Sequence, residues 1–255
     1  MKKIAAIFAV GLFALSGAAN AALISDTSAD GVGMDLESLF NDQWITSGPA
    51  MDVNTEAKTS AAWQIDASQG AFSQIVIQVA GNASQNSFGI YNLKDASQTL
   101  EVFAASASEN DPFGAAAAIR YFGDGNFALL GKEAETYINL GAQSFGFYLA
   151  GPGGTFYSDA RLNPNGDHQM VAFRGDDRRQ ADFFGVGSST WSSAEWILAW
   201  EDLVYAGSDK DFNDFVVIVE SVRPVPEPAT LGLLSLGLVG MAVAARHRRG
   251  SKQLN

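Results

Sequence analysis

SFGFYLA, residues 144–150, puts Phe145, Phe147 and Leu149 on one side of an extended chain and Ser144, Gly146, Tyr148 and Ala150 on the other. That period of two is expected of a half-buried β-strand. Similar β-branched and aromatic content recurs in FSQIVIQVA (72–80), SFGIYNL (87–93), TLEVFA (99–104), HQMVAF (168–173), EWILAW (195–200) and FVVIVESV (215–222). Turn-forming pieces such as GNASQN, GDGN, GPGG, NPNGD and GDD separate these runs. The pattern predicts an all-β domain, a β-sandwich or jelly-roll-like fold, over residues 22–222. Helix is expected only as a turn or two in DLESLFND (35–42) and AAAAIRYF (115–122). One domain is the preferred organisation. The alternative sets off a small N-terminal sheet at a boundary near 123–126 or 131–135.

Both ends of the 255-residue chain read as address labels. Lys2 and Lys3, an apolar run from Ile4 to Leu15, and Ala19-Asn20-Ala21 form a secretory signal peptide over residues 1–21, with cleavage expected at the Ala19/Ala21 site. At the other end, Ala229 to Ala245 is uncharged, and Arg246, Arg248 and Arg249 follow it. Seventeen uncharged residues fall near the lower limit for a transmembrane helix. The arginines act as a cytoplasmic membrane stop, which leaves residues 246–255 as a basic cytoplasmic tail and the domain on the far side.

Charge and cysteine usage narrow the function classes. Residues 22–226 hold 27 acidic and 10 basic side chains, a balance of −17. Such a surface does not attract nucleic acid or anionic lipid, but it does attract cations. The chain has no cysteine, which excludes disulfides, thiol catalysis and Cys-ligated metals.

The acidity peaks in EDLVYAGSDKDFND, residues 201–214, just ahead of the FVVIV run. Glu201, Asp202, Asp209, Asp211, Asn213 and Asp214 make up a candidate metal set there. Alternate oxygen donors suit calcium, which takes six to eight hard oxygens. An EF-hand is rejected, because Asp214 stands where the sharp turn needs Gly and an intervening strand carries Glu220 about 20 Å away. The competing reading makes these side chains turn caps, as Asp and Asn often are. Catalysis is the third reading. His168 is the single histidine between residues 22 and 226, and it reads as a polar turn contact. No G-x-S-x-G, P-loop, H-E-x-x-H or G-x-G-x-x-G occurs. Trp191, Trp196, Trp200, Tyr148 and Tyr157 are candidates for a sugar-stacking platform, although such residues are more often core.

Val225-Pro226-Glu227-Pro228-Ala229-Thr230, with the Gly/Leu-rich span and Arg cluster behind it, resembles the PEP-CTERM sorting signal. Pro226 and Pro228 keep residues 223–228 out of helix, leaving an extended peptide suited to a protease. The resemblance implies sorting by an exosortase, a membrane protease, and a C-terminal span that anchors the protein only transiently in the inner membrane. The segment from about 130 to 222, above all the E-D…G-S-D-x-D-x-N-D block, resembles the domain-of-unknown-function family numbered 4114. That implies a β-rich surface module with no established activity. The expectation is therefore a non-enzymatic exported protein of the cell surface or extracellular matrix, with calcium as possible cofactor and exopolysaccharide as possible partner. The alternatives are a metal-independent carbohydrate-binding module and, ranked last, a polysaccharide hydrolase.

Overall fold

The alternation at 144–150 and the unbroken apolar runs at 196–200 and 215–219 answer to different surroundings. A computed structural model describes residue 24 and residues 35–66, 71–78, 83–107, 116–130, 136–185 and 187–226. The signal peptide with Ala19 and Ala21, the segment from Glu227 and Pro228 through the span 229–245, and Arg246, Arg248 and Arg249 lie outside the described residues. Among the described residues, no helix is long and apolar enough to cross a membrane.

The described chain is all-β apart from short helical turns. Its strands are β1 (Ile45–Ser47), β2 (Trp63–Ile65), β3 (Ala71–Gln78), β4 (Ser87–Asn92), β5 (Asp95–Phe103) and β6 (Ala116–Gly123). There follow β7 (Asn126–Leu130), β8 (Thr136–Asn139), β9 (Ser144–Gly151), β10 (Gly154–Tyr157) and β11 (Met170–Arg174). The last are β12 (Gln180–Ala181), β13 (Ser189–Thr190), β14 (Glu195–Trp200), β15 (Phe215–Glu220) and β16 (Val222–Pro224). One sheet runs β11-β14-β15-β3-β6-β7-β8 and another β16-β2-β9-β4-β5, with β10 also on β9. A small third sheet runs β1-β12-β13. Every strand pairing within these sheets is antiparallel. Strands from the two halves of the chain interleave, since β3 sits between β15 and β6, and β4 lies beside β9.

The main core lies between the two large sheets. Phe145, Phe147 and Leu149 of β9 meet Trp196, Leu198 and Trp200 of β14 and Phe215, Val217 and Val219 of β15 there. The alternate residues of β14 and β15 are apolar too because the seven-stranded sheet is covered on its other face. Ile197, Ala199, Val216 and Ile218 pack there with Leu36, Leu39, Phe40, Trp44 and Trp191. Strands buried on both faces read as continuous apolar runs. The covering segment is the helix expected at 35–42. Asp35 caps it by accepting from Ser38 N–H at 2.9 Å, and its second part, Leu39–Trp44, is π-helical.

The other expected helix is overturned. Residues 116–123 form β6, paired with both β3 and β7, with Ile119 buried and Arg120 exposed. Alanine favours helix by only a few tenths of a kcal/mol per residue, roughly, and two neighbouring strands outweigh that. The five proposed stacking aromatics are overturned as well. Trp191, Trp196, Trp200 and Tyr148 are buried, and Tyr157 is half-buried against Tyr91 with ring centroids 5.0 Å apart.

Candidate functional site

Antiparallel pairing of Trp200 with Phe215 puts the end of β14 beside the start of β15. The residues just outside that pair, Glu201-Asp202 and Asn213-Asp214, therefore meet at one end of the sandwich. The connection bends back on itself through Lys210 and Phe212, whose φ values are +69° and +55°. Phe212 is fully buried in the outer core, which pins the loop between Asp211 and Asn213. Gln169 holds the other half of the loop. Its amide oxygen accepts from Tyr205 N–H at 3.0 Å, and its amide nitrogen donates to the Leu203 carbonyl.

The six acidic and amide residues divide into two groups. Glu201, Asp209 and Asp211 each bring a carboxylate oxygen to within 4.8 Å of the others. Glu201 and Asp211 are fully buried, and Asp209 is half-buried. Glu201 Oε1 accepts from Phe212 N–H at 2.7 Å, whereas Oε2 is buried with no hydrogen-bond partner. The Ser208 hydroxyl and the Lys210 N–H are close enough to pull the Glu201 carboxyl down, but the hydroxyl donates to the Tyr205 carbonyl at 3.4 Å and neither makes a hydrogen bond to Oε2. Burial nonetheless pushes the Glu201 carboxyl up, and the Asp209 charge adds to that.

The second group is braced by the protein. Asp214 Oδ2 accepts from Asp202 N–H at 2.9 Å, and Asp202 Oδ2 accepts from the Asn86 amide at 2.8 Å. Burial, with the Asp202, Glu201 and Asp211 charges nearby, pushes Asp214 up to about 8. Burial also raises Asp202. Asn213 donates to Asp211 Oδ2 at 2.7 Å, which orients that ligand candidate. Glu220 stands opposite Glu195 at the far end of β15, away from the loop.

Three supports of this site had no clear sequence signal. Asn86 lies in a stretch that reads as a turn, and Gln169 in one that reads as a strand. Gly153 in GPGG reads as a turn residue, yet a Cβ there would lie 2.1 Å from the Asp202 carbonyl oxygen. Only the fold brings positions 86, 153 and 169 to the 201–214 loop.

Residues 126–222 match the family described as domain of unknown function (DUF4114), and residues 224–249 match the PEP-CTERM protein-sorting motif. The chain carries a DUF4114 domain and a PEP-CTERM tail. The sorting motif marks it as an exported protein directed to the cell envelope through an exosortase, a membrane enzyme. No curated protein and no solved structure matches the chain. The DUF4114 match contains β7 to β15 and the whole 201–214 loop, whereas β3, in the middle of the seven-stranded sheet, precedes it.

Proposed function

We propose that this protein is a non-enzymatic component of the cell surface or extracellular matrix whose DUF4114 domain binds calcium through Glu201, Asp209 and Asp211. The observation that carries the reading is the buried, unpartnered Glu201 Oε2 in a group of three carboxylates within 4.8 Å of one another. Like charges that close repel, and a buried carboxylate oxygen without a donor is costly. A hard divalent cation relieves both, and oxygen donors with no nitrogen or sulfur favour calcium. The ion's role is rigidity. Two of the three ligands are fully buried, and their formal charge already exceeds that of the ion, which leaves little attraction for an acidic polysaccharide. After export, processing at the tail releases the domain into, or onto, the exopolysaccharide layer.

The non-enzymatic reading draws support from the cleft where Ser158, Asp159 and His168 gather. The Ser158 hydroxyl is already engaged, accepting from Phe147 N–H and donating to the Ala61 carbonyl, both at 3.0 Å. Asp159 is taken up by the Arg161 guanidinium at 2.7 Å. No activated nucleophile results. Calorimetric titration of the EDTA-stripped protein with calcium tests the metal reading. Saturable binding that is lost in Asp209→Ala and Asp211→Ala is expected, and unchanged affinity in both variants sinks it.

A further inference from the structure

Two to four strands beyond β15, the seven-stranded sheet ends in β6, β7 and β8. Phe122 of β6 and Tyr137 of β8 are 53% and 63% exposed, yet their ring centroids are 6.1 Å apart with planes inclined at 40°. Arg120 lies over Phe122, its guanidinium carbon 5.5 Å from the ring centroid. In register, Arg120 and Tyr137 flank Ala128 of β7, which is fully buried, so the exposed rings form a closed platform over it rather than a groove. Among the described residues, this is the one pair of well-exposed aromatic rings in mutual contact.

We infer that Phe122, Tyr137 and Arg120 form a binding site for a neutral pyranose chain, an uncharged stretch of extracellular polysaccharide. Apolar ring faces suit the C–H face of a sugar ring, and a guanidinium beside them supplies several N–H donors for hydroxyls. Area argues against a protein in this place. Even fully buried, two rings contribute only about 150–250 Å² each, against about 1,000 Å² for a stable protein interface. Charge argues against a polyanion, because the −17 balance over residues 22–226 repels one despite Arg120. The site is separate from the calcium reading, since it lies on β6 and β8 whereas the 201–214 loop joins β14 to β15.

The test is saturation-transfer NMR on the full chain, with cellohexaose and a dextran oligomer as neutral probes and oligogalacturonate as the acidic one, in calcium and again in EDTA. Binding of a neutral oligosaccharide that is indifferent to EDTA is expected. It should weaken at least about tenfold in Tyr137→Ala and Phe122→Ala. Tyr137→Thr, which suits a strand, serves if the alanine variant melts early. Binding of oligogalacturonate alone, no binding of either neutral probe at millimolar concentration, or neutral binding unchanged in all three variants overturns the assignment. So does a wild-type dimer that Tyr137→Ala converts to monomer, which would make the patch a contact between copies.

Discussion

The Asn86 side-chain amide donates to Asp202 Oδ2 at 2.8 Å, and that one bond ties the six-stranded sheet to the acidic loop of the seven-stranded one. Asn86 immediately precedes β4, and Asp202 follows β14 by one residue. Both side chains are buried. Asn86→Ala leaves a buried carboxylate oxygen without its donor, at a cost of about 1–3 kcal/mol. Urea unfolding of the variant checks this, and a midpoint equal to wild type would show that the bond contributes nothing.

Calcium should raise the melting temperature, and magnesium far less. An ion at a hundredfold excess over its Kd adds about 2.7 kcal/mol, which for a domain of this size is a shift of about 5–10 °C. Glu201→Gln should abolish the shift. In EDTA the same variant should melt at or above the wild-type temperature, because it removes one of three repelling charges and can still accept from Phe212 N–H. Differential scanning calorimetry in calcium and in EDTA reads both outcomes.

The metal-free protein should lose stability as pH rises. The Asp214 carboxyl is raised to about 8 in the fold, and Glu201 and Asp202 are raised too. A carboxyl with a raised folded value contributes most below its unfolded value near 4, and that contribution is gone once pH passes the folded value. Burial depresses His168, which works in the opposite direction but only around and below the usual imidazole range near 6.5. The clean window is therefore pH 6.5 to about 8.5. Denaturation midpoints in EDTA should fall across it, and Asp214→Asn should flatten the slope.

Gly153→Ala should destabilise the protein through crowding alone. A Cβ at that position meets the Asp202 carbonyl oxygen at 2.1 Å and the Leu203 Cα at 3.1 Å, so the backbone must move. Overpacking of this kind costs on the order of 1–3 kcal/mol. Because the displaced backbone belongs to the acidic loop, calcium affinity should weaken as well. A variant with wild-type melting and wild-type calcium response would refute the contact's importance.

Strands that alternate or run apolar were legible in the sequence because burial writes their pattern directly. EWILAW is β14 residue for residue, and SFGFYLA falls wholly within β9. Short pairings such as β2 and β16 were not, since three residues held between neighbours carry no period of their own. AAAAIRYF misled because alanine is informative only when packing is silent, and here β3 and β7 decide. The acidic block showed where oxygens gather but not how they divide. Glu201, eight residues before Asp209, joins Asp209 and Asp211 only because β14 and β15 are neighbours. Asp202 and Asp214 drop out of that group for the same reason, braced by a backbone N–H and by Asn86.

Val225 N–H donates to the Ala62 carbonyl at 2.8 Å, so the sheet grips the chain to within one residue of Pro226. The sorting motif begins at Pro224, which is still inside β16. With Val225 held, only residues 226–228 separate the sheet from the apolar stretch that starts at Ala229, a leash of about 10 Å at full extension. A bilayer holding that stretch would keep the domain within the leash's length of its headgroups, and cutting the leash would release the domain to diffuse.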